Sequence, residues 1–566
     1  MMTDEKKTLD NDTAWDLTEA QKPINFSTYD VLDLEGCNLN TYKKITLKKG
    51  AEVNMGGIEP LPPEIDASKC AALDLSGRDL SALKKTITMS KGSSFDYNSY
   101  LKTGPNINHI PPLQNVDFSR SDKVSISGTD LSNYSKLTFA DGATVSLNNC
   151  SHLPEKTDLS NCDSVTLCGL DLSQIKDLKF KDGAEVNLHG CTNIPENLDL
   201  SRCSSVTIQN IDLNQFKNLE FRNDAAINLS GCTNFPENLD VSHCRAVNLS
   251  NTDLSTIKDL KLKDGTHLNL NSCTALPQHV DFDKCNYVDL SNTDLIFRTD
   301  IKFKDGAEVN LRQAQNIPDD VDFSTCAKLN LRQCNLGSDC IDGSRSFSFR
   351  EGAEVSLQQC ENLPPNIDFS TCASLCLSSC DLSGQSELNF RDNARVALNG
   401  ATHIPASTDF SHCQEVWINS SQTNAFDFGN AHVVLSGIGP KSIDVSHLKN
   451  ATISTQQNDE ILGMSVLSLQ GTKEFIFKNR TQYEEFLANP NNQHISENIS
   501  ITFADEKKEL AMALSKEQGE LPKATKADAQ NYRIDKATMR RSADTPVSTQ
   551  EASSNTLVNR PQENTR

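Results

Sequence analysis

One apolar position recurs along this chain with an almost constant spacing. It opens a V-x-L triplet, and successive triplets lie 20 or 21 residues apart in strict alternation. The positions are Val145, Val165, Val186, Val206, Ile227, Val247, Leu268, Val288, Val309 and Leu329. After one step of 26 residues to Val355, the spacing resumes at Leu375, Val396 and Val416. A fixed period in this range predicts a repeat solenoid rather than several globular domains.

The pattern inside one repeat predicts strands rather than helices. Between Asp182 and Phe221 the apolar residues alternate with polar ones in four short segments, which are Val186-x-Leu188, Leu198-x-Leu200, Val206-x-Ile208 and Leu219-x-Phe221. Alternation with period two is typical of a half-buried strand. The intervals are too short for a regular helix. We therefore expect a mainly β fold of stacked 20–21-residue turns with two parallel sheets.

Several turns resemble a known repeat family. The segment Val247-Asn-Leu249-Ser-Asn-Thr252-Asp-Leu254 resembles the leucine-rich repeat, and so does Leu73-Asp-Leu75-Ser-Gly-Arg78-Asp-Leu80. The resemblance covers roughly residues 27 to 418. The short repeat length is similar to that of the shortest bacterial leucine-rich repeats. It departs from the family because Cys or Thr mostly replaces the usual asparagine. A parallel β-helix remains the alternative architecture.

The spacing also predicts the domain organisation. Residues 1–26 are expected to be a flexible N-terminal segment, and residues 27–448 the repeat solenoid. Residues 449–518 combine strand-like and short helical patterns and are expected to form a C-terminal cap. Residues 519–566 are polar, with few large apolar side chains, and are expected to be disordered.

Charge and cysteine content limit the possible partners and compartments. The net charge is −22, without a basic face in the repeats, so nucleic acid is not an expected partner. No apolar run of about 18 residues occurs, so membrane insertion is not expected. Most of the 19 cysteines recur in columns two turns apart, roughly 9 to 10 Å, beyond the reach of a disulfide. This favours a reducing cytoplasm, or secretion into a host cell without a cleavable signal peptide; we expect no cofactor and no metal.

Residues that point away from the apolar seam are the candidate contacts. The middle residues of the triplets form a polar ladder, and Arg312 and Arg332 lie beside it on successive turns. Trp417 occupies a ladder position where Asn or Thr is usual, and we expect it to be exposed. We predict partner contacts at Trp417, Arg312, Arg332, Asn187, Asn228, Asn248 and Asn269. Stacked Asn side chains that bond to one another are the structural alternative.

On the opposite side, acidic and basic residues alternate from Asp158 to Asp322, with Glu220 as the exception. This pattern predicts opposite charges facing each other across neighbouring strands and fixing their register. The acidic residues are spread evenly by the repeat rather than clustered. Even spreading is typical of a scaffold and disfavours the paired carboxylates of a catalytic site.

These features together predict a non-enzymatic scaffold for protein–protein interaction. A bacterial effector acting in a host cell is one form that such a scaffold takes. A structural or surface adhesin-type β-solenoid is an alternative. A β-helix carbohydrate-active enzyme is the least favoured interpretation, because no clustered acidic and basic residues stand out on one face.

Overall fold

The fold is described from a computed structural model. It covers residues 8–9, 23–40, 42–99, 113–175, 178–196, 198–216, 219–237, 239–296, 298, 301–337, 347–437, 439–453, 467–470, 472–492 and 499–509. Most of the predicted N-terminal segment and the whole predicted tail lie outside these residues. The chain divides into two units, residues 1–502 and 503–566. In the second unit, residues 504–509 are helical.

The first unit is a parallel β-solenoid built on one long sheet, called here the first sheet. Within the described part of the chain it has 22 strands, which pair in parallel, each turn with the next. They are Thr8–Leu9, Val31–Asp33, Glu52–Asn54, Ala72–Asp74, Ser93–Asn98, Ser121–Ser127, Thr144–Asn148, Ser164–Thr166, Glu185–Asn187, Ser205–Thr207, Ala226–Asn228, Ala246–Asn248, Thr266–Asn269, Cys285–Asp289, Glu308–Asn310, Lys328–Asn330, Glu354–Ser356, Ser374–Cys376, Arg395–Ala397, Glu415–Asn419, His432–Ser436 and Asn450–Ile453. The predicted mainly β solenoid of 20–21-residue turns is confirmed.

The register of the first sheet places the triplets directly over one another. Val165 pairs with Val186, and Val186 pairs with Val206. Because successive side chains of a strand point to opposite faces, the first and third residues of each triplet face the same way. Val186 is 3% exposed and Leu188 is 0% exposed. The apolar triplets therefore form the continuous buried seam that the sequence predicts.

The opposite side of the turns is divided into short parallel sheets. Its strands are Ile24–Phe26, Ile45–Leu47, Ile65–Asp66, Ile87–Thr88, Val116–Asp117, Lys136–Thr138, Lys156–Asp158, Asp259–Leu260, His279–Val280, Ser442–Asp444, Glu474–Phe477 and Ser500–Phe503. The predicted segments Leu198-x-Leu200 and Leu219-x-Phe221 are not strands; Leu198 and Leu200 are buried, whereas Leu219 and Phe221 are half-buried. The second sheet is thus interrupted where the first is continuous.

One kind of turn recurs along this second side. The Asp199 side chain accepts a hydrogen bond from the backbone N–H of Ser201 at 2.9 Å, and Asp240 accepts one from Ser242 at 3.0 Å. Such Asx turns bend the chain immediately after the aspartate. The aspartate column is therefore held by its own turns. Lys302 and Asp322, two members of the alternating charge pattern, do lie opposite each other, and that such pairs help to fix the register stays a prediction.

The cysteine columns are buried, and one of them is bonded to the backbone. The Cys232 thiol donates to the carbonyl of Ile208 at 2.8 Å, and the Cys273 thiol donates to that of Leu249 at 3.2 Å. Each acceptor belongs to the preceding turn. The column therefore joins successive turns as well as filling the space between them.

Threonine occupies the same column on some turns. The Thr293 hydroxyl donates to the carbonyl of Leu270 in the preceding turn at 3.0 Å. The Thr252 hydroxyl donates instead to the carbonyl of Leu249 in its own turn. Cys232, Cys273 and Thr293 thus share one column, and each donates to a carbonyl of the preceding turn.

Ion pairs along one corner join turns that are not neighbours. The Lys263 ammonium lies 2.7 Å from the Asp224 carboxylate, and Lys304 lies 3.0 Å from Asp264. The partners are 39 and 40 residues apart, so each pair reaches across a whole double turn. Both carboxylates are exposed and both lysines partly so, and each pair therefore contributes only a few tenths of a kcal/mol. Because these pairs recur, they connect each turn to the equivalent turn of the neighbouring double turn.

Side chains cap the last strand of the first sheet. The Asn492 side chain accepts from the backbone N–H of Ile453 at 2.7 Å and donates to the carbonyl of Ala451 at 3.2 Å. It follows the helix Arg480–Ala488, within the short 3₁₀ turn Pro490–Asn492. Unpaired strand edges invite association with other strands, and these bonds satisfy part of the edge.

Other 3₁₀ turns lie at Leu213–Gln215, Phe282–Lys284 and Thr423–Ala425.

Helices are short wherever the structure describes the chain. Among the described residues, none of them combines the length and the apolar character that crossing a bilayer requires.

The thiol-to-carbonyl bond at Cys232 can be tested with two substitutions of nearly equal shape. Cys232→Thr keeps a donor for the Ile208 carbonyl, as Thr293 shows for Leu270. Cys232→Val removes that donor. We expect the valine variant to be less stable than the threonine variant by about 1 kcal/mol, the net value of a typical hydrogen bond. Urea unfolding followed by circular dichroism measures the difference; equal midpoints would show that the bond contributes nothing.

Candidate functional site

The four predicted asparagine contacts lie in one ladder on the outer face of the first sheet. Asn187 and Asn228 each pair with Thr207, which lies between them, and Asn228 pairs with Asn248. Asn248 in turn pairs with Asn269. All four asparagine side chains are half-buried. The structure therefore brings these residues together on a single face, as the repeat period requires.

Each asparagine of the ladder also holds the turn that follows it. The side-chain oxygen of Asn187 accepts from the backbone N–H of His189 at 3.0 Å, and that of Asn248 accepts from Ser250 at 3.0 Å. The same bond recurs at Asn228 and Asn269. This bond fixes the orientation of the amide. The ladder is therefore a rigid polar surface in which the side-chain oxygen of each of these asparagines is already occupied.

The two predicted arginines lie beside the ladder on successive turns. Their backbone N–H groups donate to Asn310 and Asn330, which are paired across neighbouring strands. Arg312 is exposed, and its Nε lies 3.4 Å from the side-chain oxygen of Gln333. Arg332 is half-buried, and its Nε is buried without a hydrogen-bond partner among the described residues. We refer to Arg312 and Arg332 together as the basic spot.

The outer face changes character beyond Asn330. In the following turns the ladder positions hold Ser356, Cys376, Ala397, Trp417 and Val434 in place of asparagine or threonine. Cys376, Ala397, Trp417 and Val434 form one buried cluster. Trp417 occupies the predicted outward register position, yet it is only 7% exposed. The expected exposed aromatic is thus a packed side chain, because its neighbours along the ladder are apolar as well.

A hydrogen-bonded chain of polar side chains runs beside this cluster. Arg395 Nε lies 3.0 Å from one oxygen of Glu415, and His432 Nδ1 lies 3.1 Å from the other. The second ring nitrogen of His432 lies 2.9 Å from the Thr452 hydroxyl. Burial opposes ionisation of Glu415, but hydrogen bonds from His432 and Arg395 outweigh it and lower its pKa to about 2. The chain of bonds links four successive turns.

The described residues do not assemble a metal centre. No group of three His, Cys, Asp or Glu side chains among them is arranged to hold a metal ion. A cavity of about 400 Å³ lies on the second side of the turns, with Phe216, Glu220, Asp240 and His243 in its lining. The Asp240 carboxylate is already bonded to the backbone N–H and the hydroxyl of Ser242. The cavity is therefore lined by two carboxylates. That of Asp240 is bonded within its own turn, and that of Glu220 is exposed.

Comparison with known proteins gave no relative. No protein-family model, curated protein or solved structure matches this chain. The resemblance to leucine-rich repeats therefore remains a similarity of residue pattern, while the repeat solenoid itself is shown by the fold.

Iodide quenching of fluorescence tests the burial of Trp417. The chain has two tryptophans, so a Trp15→Phe background leaves Trp417 as the single indole. Because its side chain is 7% exposed, we expect quenching to be several-fold weaker in native buffer than in denaturant. The same protein in denaturant is the control. Equal quenching in both conditions would show that the indole is exposed in the native protein.

The depressed pKa of Glu415 predicts a pH-dependent contribution to stability. A carboxyl whose folded pKa is about 2, below its ordinary 4.5, stabilises the fold above pH 4.5 and loses that contribution as the pH falls towards 2. We expect Glu415→Gln to lower the melting temperature at pH 7 and to differ less from wild type at pH 3.

Glu308→Gln is the matched control for this measurement. Glu308 occupies the corresponding strand position and pairs with Lys328 at 3.2 Å, but its side chain is 49% exposed. Exposed pairs of this kind contribute little to stability. We therefore expect a small change in melting temperature at both pH values. A pH-independent loss in Glu415→Gln would contradict the proposed role of its ionised form.

Proposed function

We propose that this protein is a non-enzymatic scaffold for protein–protein interaction, with the outer face of the first sheet as its contact surface. The observation that carries the proposal is the polar ladder that includes Asn187, Asn228, Asn248 and Asn269. Its side chains are half-buried and each is oriented by a bond to its own turn. A rigid, repetitive polar surface suits a protein partner that contacts several turns at once.

The arrangement of the acidic groups supports a scaffold over an enzyme. The carboxylates of Asp199 and Asp240 each bond to the backbone and hydroxyl of a serine two residues later. A carboxylate held in its own turn does not converge with those of other turns on one reacting atom. Catalysis by paired carboxylates requires such convergence within several ångströms.

The basic spot is the part of this face that we assign to partner selection. Arg312 and Arg332 stand beside the ladder on a chain with net charge −22. Arginine is enriched at the energetically important centres of interfaces, and its planar fork suits carboxylate groups. We infer a partner that presents an acidic side chain to this spot and polar groups to the asparagine ladder.

The proposed setting is a reducing one. The described cysteines outside two half-buried positions, Cys37 and Cys168, are buried in the thiol form. This supports a cytoplasmic scaffold, or a bacterial effector that acts in the cytoplasm of a host cell. The leucine-rich repeat pattern supports the same proposal, since such repeats commonly present extended binding surfaces.

Paired arginine substitutions test the contact surface. The full chain is used as bait, the captured protein is purified, and its dissociation constant is measured with wild type and with Arg312→Ala/Arg332→Ala. If the basic spot carries binding, we expect affinity to fall at least about 10-fold, corresponding to roughly 1.4 kcal/mol. Circular dichroism of the double variant checks that the fold is retained.

Arg202→Ala/Arg222→Ala is the matched control. Arg202 is exposed and Arg222 is half-buried, as in the tested pair, and both lie near Asp182 at a corner away from the ladder. The control removes the same charge from the same chain, so we expect near wild-type affinity. Equal losses in both double variants would assign the effect to net charge. Unchanged affinity in both would reject the basic spot as the contact.

A further inference from the structure

Three cysteines lie one above another on successive turns near the 26-residue step, and we call them the thiol ladder. They are Cys334, Cys360 and Cys380, five residues after Leu329, Val355 and Leu375 respectively. Leu329 pairs with Val355, and Val355 pairs with Leu375, so the three cysteines follow consecutive paired strands. Between Cys191 and Cys273 the same column alternates cysteine with other residues. The thiol ladder therefore brings thiols closer than that alternating part of the column does.

The thiols of the ladder reach back towards the turn before them. The Cys360 thiol donates to the carbonyl of Leu331 at 2.8 Å, and the Cys380 thiol donates to Leu357 at 2.9 Å. The Cys380 thiol also lies against the backbone N–H of Cys360, and the Cys360 thiol lies against that of Cys334. Each sulfur thus lies beside the backbone of the preceding cysteine.

We propose that Cys360 is an oxidation site that forms a reversible disulfide with one neighbour in the thiol ladder, Cys380 or Cys334. Adjacent strands lie about 4.8 Å apart, inside the roughly 4.4–6.8 Å between Cα atoms that a disulfide spans. Cysteines two turns apart, such as Cys191 and Cys232, are separated by about twice that distance. Stacked side chains place their Cβ atoms farther apart than a relaxed disulfide prefers, so the bond is easily reduced again.

The oxidant in this proposal is a peroxide. The sulfur of Cys360 attacks one peroxide oxygen, so that an S–O bond forms, the O–O bond breaks and one water leaves. The neighbouring sulfur then attacks the resulting sulfenic acid, an S–S bond forms, the S–O bond breaks and a second water leaves. Two thiols lose two electrons and two protons in all, and both protons leave in the waters.

Burial makes this oxidation slow. Cys360 is 5% exposed, and Cys334 and Cys380 are each 1% exposed, so all three thiols are shielded from peroxide while the turns are closed. Burial raises the pKa of the Cys360 thiol strongly and that of the Cys380 thiol to about 12, so both are protonated at neutral pH. The oxidation therefore proceeds when the turn opens briefly, so that first Cys360 and then its partner in the thiol ladder can lose a proton.

Mass spectrometry of the oxidised full chain tests the proposal. The reduced protein is treated with dilute hydrogen peroxide in native buffer, its remaining thiols are alkylated in denaturant, and linked peptides are identified. We expect a Cys360–Cys380 or Cys334–Cys360 link that dithiothreitol removes. Cys191 and Cys232 should remain alkylated. Persistence of all three ladder thiols, or a link from Cys360 to any other cysteine, would overturn the proposal.

A Cys360→Ala variant makes the test specific. Alanine already occupies the same column at Ala314 and Ala401, so the variant is expected to fold, and circular dichroism verifies this. Without Cys360 the two remaining ladder thiols are two turns apart, and their links should be lost. A Cys334→Ala variant should keep the link if the wild type joins Cys360 to Cys380, and should lose it if the wild type joins Cys334 to Cys360. A Cys334–Cys380 link in Cys360→Ala would contradict the stacked geometry on which the proposal depends.

Discussion

Backbone hydrogen bonds between successive turns hold each apolar triplet directly over the preceding one, and the rest of the structure depends on that alignment. Val186 and Val206 share a seam because their strands pair in register. A shift by one residue would turn every inward side chain to the outside. The same alignment places equivalent residues of different turns in columns. Ladders of asparagine, cysteine and aspartate therefore follow from the pairing of the strands.

The first sheet was predictable from the sequence because its buried apolar residues recur at the same interval as the turns. Each triplet buries two apolar residues on one face, so a count of residues is sufficient to place it. The second side was less predictable because its bends depend on side-chain bonds such as Asp199 to Ser201. The recurring D-x-S motif is visible in the sequence, but the same aspartates also fit an alternating charge pattern across strands.

The candidate contact residues were likewise predictable only in part. The sequence placed Asn187, Asn248 and the two arginines on one face, because the period alone determines which way a residue points. It did not predict that Trp417 is packed, since burial of an outward side chain depends on neighbours such as Ala397 and Val434. The change from asparagine to apolar residues at successive ladder positions was the available signal. The chain of bonds through Glu415 and His432 requires distances that a sequence does not contain.

The corner ion pairs make two turns, rather than one, the natural module of this chain. Lys263 and Lys304 each reach back 39 or 40 residues, past the intervening turn. Loss of a single turn would bring unlike corners together and leave a lysine facing the wrong side chain. Loss or duplication of a whole block of about 41 residues would restore every pairing. The length of such a protein can therefore change by genetic recombination between equivalent blocks without a new fold having to be found.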